Sequence, residues 1–250
     1  MLRFRPMKTI ILAAGYATRL HPITLDTPKP LLGIGEKPIA EHILEKLKSV
    51  EILDEIFVVT NSKFFPHFSA WAATLDFPKK ITIVDDGTIS NETRLGSLGD
   101  IQFVIEKFQI SDDILVVAGD NLFDFSLEIF TEFSVKKNAT TVALHDVQNF
   151  DLAKLYGIVA VDEDFRVTDF LEKPENPPST LASTGVYFYA RADLPRFAEF
   201  TANFDSDRAG DFLAWLFPQV PVFGFQTSGR WFDIGSIEQL EIARREFSKK

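Results

Sequence analysis

Lys8-Thr-Ile-Ile-Leu-Ala-Ala-Gly-Tyr-Ala-Thr-Arg19 decides the fold. Its apolar run lacks helical spacing and breaks at Gly15, which reads as a buried strand opening into a loop of small residues. Outward from it, Pro38 sits where a helix begins. Ile39, Ile43, Leu47 and Val50 then recur at spacings of four, four and three, with Glu41, Glu45, Lys46 and Lys48 off that face. Residues 55–60 and 80–85 read as further buried strands, 99–108 as a helix with Ile101, Val104, Ile105 and Phe108 on one side, and 113–120 as the clearest strand. Such alternation predicts right-handed crossovers and a mostly parallel sheet.

After residue 138 the rhythm changes. Residues 140–145, 157–161, 166–171 and 183–189 read as mixed or antiparallel strands continuing the same sheet, closed by helices near 191–200, 208–216 and 236–248. The Pro/Ser cluster at Pro174–Thr180 reads as a long turn, so the expectation is one α/β domain with an embedded second lobe.

A chain of 250 residues can bury roughly three-quarters of its unfolded surface. With 26 basic and 36 acidic side chains the net charge is −10, which argues against a duplex-binding surface but allows a local basic pocket for a small phosphate. The absence of cysteine excludes disulfides and thiolate chemistry and fits a cytoplasmic setting. The 25 phenylalanines read as core filler. Met1–Ala17 has basic residues ahead of an apolar run, like a secretory leader, but the run is too short and ends in a turn. Phe212–Gly229 carries no formal charge, yet Pro218, Pro221 and Gly224 suit a helix, a turn and a strand better than a membrane span.

The chemistry-bearing residues follow strand ends, where parallel sheets bind ligands. Small residues at Ala13, Ala14, Gly15 and Ala17 let a ligand approach the backbone, and Arg19 offers a fork for phosphate oxygens; a tight turn with a surface salt bridge reads the same way. Lys29, between Pro28 and Pro30, is expected on a stiff extended segment, as a phosphate-facing ammonium or as a solvated turn. Asp120 and Asp233 each close an apolar run more than a hundred residues apart, a plausible pair of hard oxygen ligands; an Asx turn is the plainer reading of Asp120. Glu172 and Lys173 are neighbours on an extended chain and are expected to point opposite ways. The four histidines show no metal spacing, and neither a Walker loop nor Gly-x-Gly-x-x-Gly occurs.

In order, Leu12–Thr24 with Pro28-Lys-Pro-Leu31, Val117-Ala-Gly-Asp-Asn-Leu-Phe123, Tyr156-Gly-Ile-Val, Leu171-Glu-Lys-Pro174, Ser183–Tyr189 and Trp231-Phe-Asp-Ile-Gly235 closely resemble the blocks of the sugar-1-phosphate nucleotidylyltransferases, glucose-1-phosphate thymidylyltransferases among them. The resemblance covers roughly residues 7 to 246. It implies a Rossmann-like three-layer α/β sandwich with a mixed, mostly parallel central sheet and a smaller sugar-binding lobe. The nucleotide-binding half would span about 7–138, the acceptor-binding half 139–235 and a carboxy-terminal helix 236–250. By analogy Arg19 and Lys29 hold the β- and γ-phosphates, and Ala13, Ala14, Gly15, Asn91 and Gly119 contact the nucleotide. Gly157 and Glu172 would hold the sugar, Lys173 the acceptor phosphate, and Asp120 and Asp233 Mg²⁺. The implied reaction is attack of an acceptor phosphate oxygen on the α-phosphorus of a nucleoside triphosphate, with pyrophosphate leaving. Oligomerisation with copies of itself is what such relatives suggest.

Several features depart from that pattern. The usual Gly-Gly-x-Gly is Ala14-Gly-Tyr-Ala17, which suits the fold if φ stays negative there and makes the phosphate cradle stiffer and narrower. The Gln-Pro and Gly-Leu-Ala that read the base in thymidylyltransferases are replaced by Asp85–Leu98. Asn91 and a serine on the following helix are closer to choline-phosphate cytidylyltransferases of the same superfamily. That opens an alternative, CTP-dependent transfer to a phosphocholine-like monoester, for which Tyr187, Tyr189, Trp215 and Trp231 are the aromatics available for a cage. A catalytically silent nucleotide-sensing subunit is a third reading, and it predicts the loss of a charged position, none of which is lost. Residues 1–6 are expected to be an extension, and a carboxy-terminal β-helix is not expected within these residues.

Overall fold

A computed structural model describes residues 5–247. The extension expected at residues 1–6 and the last residues of the expected carboxy-terminal helix fall largely or wholly outside them. In the first half, strand β1 (Met7–Leu12) leads through short β2 (Gly33–Ile34) and β3 (Lys37–Pro38) to helix α1 (Ile39–Leu47). There follow β4 (Leu53–Thr60), α2 (Phe65–Ala72), β5 (Lys80–Asp85), α3 (Gly96–Phe108), β6 (Asp113–Ala118), β7 (Asn121–Phe123) and α4 (Leu127–Lys137). The second half runs β8 (Thr140–Asp146), α5 (Phe150–Ala153), β9 (Gly157–Val161), β10 (Val167–Glu172) and β11 (Leu181–Tyr189), then α6 (Pro195–Asn203), α7 (Ala209–Leu216), β12 (Val222–Gln226), β13 (Trp231–Asp233) and α8 (Ile237–Phe247).

The main sheet has nine strands. Strands β6, β1, β4 and β5 are neighbours and run parallel, as buried apolar strands joined by helical crossovers must. Antiparallel β11 pairs with β6 and β9 along one edge and with β8 along the other, so the second half grows from the same sheet. Strand β12 runs parallel to β8, and a bridge from Phe223 to Arg166 curls the lobe back toward β10.

Alternate residues of each central strand serve opposite layers. Met7 and Ile11 of β1, with Leu115 and Val117 of β6, pack under α1, α2, α4 and α8. Ile10, Ile114 and Val116 face α3, α6 and α7. Most phenylalanines fill these layers as expected: Phe197 stacks on Phe212 with centroids 4.2 Å apart, but Phe150 lies exposed on α5. Helix α3 begins at Gly96, earlier than its apolar spacing suggested, because φ of +73° there turns the chain into the helix.

Two local expectations fail. The Lys29 segment is not extended: Pro28 is, but Lys29–Leu31 forms a tight turn in which the Leu31 amide donates to Pro28 O at 2.9 Å and the Leu32 amide to Lys29 O at 3.0 Å. Ala17 does not keep a negative φ either; it sits at φ 47°, ψ 42°, the left-handed region that favours glycine. Two bonds to its carbonyl hold it there, from the Leu20 amide at 2.9 Å and the Thr24 hydroxyl at 2.8 Å.

Candidate active site

Loop 13–19 leaves the carboxyl end of β1 between β4 and β6. The Ala13 amide donates to Val59 O at 2.8 Å, and Asn61 donates through Nδ2 to Ala14 O at 2.8 Å. Ala13 and Ala14 are thereby buried, while a Cβ at Gly15 would meet no atom within 4 Å. The space above Gly15 is a cleft of about 590 Å³ lined by loop residues 12–19, Lys29, Asn91, Arg94, Ser97, Asp100 and Asp120. Gly119 is not in its lining: a Cβ there would stand 2.6 Å from Leu12 O, so the glycine permits the turn after β6 to cross β1 closely.

A second cleft, of about 450 Å³, opens on the other side of Arg19. Gly157, Glu172, Lys173 and Asp233 line it with Tyr187 and Trp231, two of the aromatics named for a cage, and with Asn121, Tyr156, Ser183, Thr184 and Gln239, which the sequence did not single out as binding residues. Glu172 and Lys173 share this cleft because Lys173 leaves the strand with φ 48° while its amide donates to Tyr156 O at 3.0 Å; the opposite orientation expected of extended neighbours does not hold. Gly157 is where the wall is tightest: a Cβ would lie 2.9 Å from both Glu172 Oε2 and Phe170 Cζ.

Between the clefts, the two distant aspartates converge. The three-residue strands β7 and β13 pair antiparallel, placing Asp233 opposite Asn121, and the Ile234 amide donates to Asp120 O at 3.3 Å. Lys29 joins them, donating to Asp120 Oδ2 at 2.6 Å and to Ile234 O at 2.9 Å. Asn121 is fixed from both sides: the Trp231 indole donates to its Oδ1 at 2.8 Å, and positive-φ Gly185 leaves room for its amide. Burial first, then the Asp120 charge, pushes the Asp233 carboxyl up, against the pull of Lys29, Arg19 and Lys173. The three cations beside the pair do not fully offset its burial and the mutual repulsion of the two carboxyls, which leaves room for further positive charge. Two such hard oxygen donors suit Mg²⁺, which commonly takes one or two protein carboxylates and leaves its other positions to phosphate and water. No group of three or more His, Cys, Asp or Glu that could hold a metal occurs among the described residues.

Two open clefts thus flank an acid–cation junction at the sheet's carboxyl edge. Residues 8–250 match the family described as nucleotidyl transferase. The chain belongs to this nucleotidyl transferase family. It is 30% identical to the bifunctional protein GlmU of Methanocaldococcus jannaschii, over 92% of this chain and 51% of that protein. It is 31% identical to a putative mannose-1-phosphate guanyltransferase of Sulfolobus acidocaldarius, over 92% of this chain and 60% of that protein. The chain therefore spans about half to three-fifths of these curated relatives. A crystal structure of a putative glucose-1-phosphate thymidylyltransferase from Bacillus anthracis superposes with a TM-score of 0.78 at 25% identity, covering 98% of this chain and 96% of that one. The Rossmann-like mixed sheet expected from the sequence is thus the fold of this chain. Among its described residues no helix is long and apolar enough to cross a membrane.

Proposed function

We propose that this nucleotidyl transferase moves a nucleoside monophosphate from a nucleoside triphosphate to a sugar 1-phosphate with Mg²⁺, releasing pyrophosphate. The observation that carries the reading is the junction itself. Arg19 lines both clefts, with Lys29 and Asp120 on one side and Asp233 and Lys173 on the other. The α-phosphate belongs at this meeting point. An acceptor phosphate oxygen attacks the α-phosphorus, the bond to the bridging β-oxygen breaks in line, and its electron pair leaves on pyrophosphate.

Each residue's part follows from its place. Exposed loop amides around Gly15 receive the triphosphate, and Arg19 spreads the charge that grows on the leaving oxygens. Lys29 neutralises Asp120 and steadies the phosphate edge. Lys173 meets the acceptor phosphate, and Glu172 accepts sugar hydroxyls beside Gly157. Asp120 and Asp233 would hold Mg²⁺, whose charge supports the crowded phosphate oxygens. The phosphocholine alternative is not favoured: of the four aromatics named for a cage only Tyr187 and Trp231 line the acceptor cleft, Tyr187 with its hydroxyl bonded to Ser183 at 3.0 Å, while Tyr189 and Trp215 lie away from it. The remaining lining is rich in hydrogen-bonding groups, as a hexose requires. The silent-subunit reading fares no better, since every charged position stands at the junction.

Pyrophosphate release measured across nucleoside triphosphates and hexose 1-phosphates tests the proposal. Activity with at least one pair, lost on chelation, is expected. Asp120→Asn and Asp233→Asn should each lower turnover about a hundredfold or more, with melting temperature little changed. Full velocity in either variant overturns the assignment.

A further inference from the structure

The nucleotide cleft holds two acids that the proposed chemistry does not use: Asp207 is paired with Arg94, and Asp100 has no cation partner among the described residues. Asp100, on the first turns of α3, lines that cleft yet is only 5% exposed. Its Oδ1 finds no hydrogen-bond partner, and neither does Oδ2 of Asp86, at the end of β5. Asp86 is otherwise anchored, its Oδ1 accepting from the Thr88 amide at 2.7 Å and the Thr88 hydroxyl at 2.8 Å. A buried carboxyl oxygen left without a donor is costly.

Two acids in contact resolve half of this by sharing a proton, and burial together with the Asp86 charge pushes Asp100 up to about 8, so Asp100 carries that proton at neutral pH. With the pair's one proton lying between the two acids, the Asp100 oxygen not facing Asp86 can act toward the cleft only as an acceptor. An acceptor fixed in a dry wall attracts an N–H group and repels a keto oxygen. Uracil and thymine flank their one ring N–H with keto oxygens; cytosine, adenine and guanine each carry an amino group.

We propose that the Asp100 carboxyl, held by Asp86 in the wall of the nucleotide cleft, selects a nucleoside triphosphate whose base carries an exocyclic amino group and turns uracil and thymine away. This rests on the reading of the cleft as a triphosphate site and adds the class of base.

Equilibrium binding of GTP, CTP, ATP, UTP and dTTP to the intact chain with Mg²⁺ tests it without an acceptor. At least one amino-bearing triphosphate should bind about tenfold or more tighter than UTP and dTTP. Asp100→Ala should bring the five within about threefold of one another. Asp100→Asn, whose amide can donate to Asp86 and keep its oxygen toward the cleft, should retain the preference and so controls for folding. UTP or dTTP binding tightest, or an unchanged ranking in Asp100→Ala, overturns the base assignment while leaving the triphosphate site intact. Failure of all five to bind overturns the site reading and the base assignment together.

Discussion

Single residues carry both the strain and the chemistry of this chain. Ala17 holds a left-handed conformation that costs an L-residue about 1–2 kcal/mol, a cost that glycine lacks. Ala17→Gly relieves it at an entropic cost of roughly 0.5–1 kcal/mol, so a rise in melting temperature of about 1–3 °C is expected, read by calorimetry. A fall would show that the loop is not strained. Asp100 makes a pH-dependent contribution of definite sign. Because its folded value is raised from 3.8 to about 8, its stabilising effect is complete below about pH 4 and is lost as pH rises toward and through 8. Asp100→Asn, which cannot ionise, should match the parent near pH 4. It should melt progressively higher than the parent between about pH 5 and 8, by at most about 1.4 kcal/mol per pH unit. A difference flat across that window would contradict the burial of this acid. Arg19, Lys29, Asp120 and Asp233 were candidates in the sequence because they stand at strand ends or beside prolines, but each also read as a plain turn or cap, and only their order along the chain, shared with a known family, joined them. Asp100 was not, since an acid on an otherwise ordinary amphipathic helix gives no sign that its face meets a cleft.

At the scale of elements, the β7–β13 ribbon decides where Asp233 stands. Each strand has three residues, and they are separated by more than a hundred positions, so no local pattern announces their pairing. The four central strands and α1 were legible because burial on both faces writes continuous apolar runs and helix packing writes a 3.6-residue period. Helix α2 and the single turn of α5 carry little such periodicity and went unread. The ribbon is closed by Asp124, whose Oδ1 accepts from the Arg230 amide at 2.6 Å and whose Oδ2 accepts from Arg230 Nε at 2.8 Å. Gly229 turns into the ribbon at φ +99°, where a Cβ would strike Asp124 Oδ1 at 2.1 Å. Asp124→Ala removes both bonds and loosens the end of β13. A loss of about 1–3 kcal/mol in stability is expected from denaturant unfolding. The fall in kcat should be roughly ten- to a hundredfold with a smaller change in KM, because a misplaced Asp233 affects the reacting centre more than substrate capture. Equal loss of kcat and KM effects tracking only the unfolded fraction would make the ribbon purely structural.

For the whole molecule, the decisive arrangement is one sheet serving two clefts. Strand β11 ties β6 of the parallel half to β8 and β9 of the second half, so the clefts share a rigid floor. Against a net charge of −10, Arg19, Lys29, Arg94 and Lys173 gather at or beside the clefts, a local positive field for an anionic ligand. That placement predicts how ligands act on global stability. On the proposed function a triphosphate with Mg²⁺ would bind only the folded chain, since its partners come from the loop after β1, the Lys29 turn, the turn between β6 and β7, and β13. At a hundred times its dissociation constant it adds about 2.7 kcal/mol, or roughly 5–10 °C of melting temperature for a chain of this size. Hexose 1-phosphate should raise the midpoint further only when the triphosphate site is filled by a non-hydrolysable analogue or product, because the junction charges are then satisfied from both sides. Scanning calorimetry with each ligand alone and both together reads this directly. Strictly additive shifts would mean that the clefts are independent, and no shift with triphosphate and Mg²⁺ would mean that the junction does not receive phosphate at all.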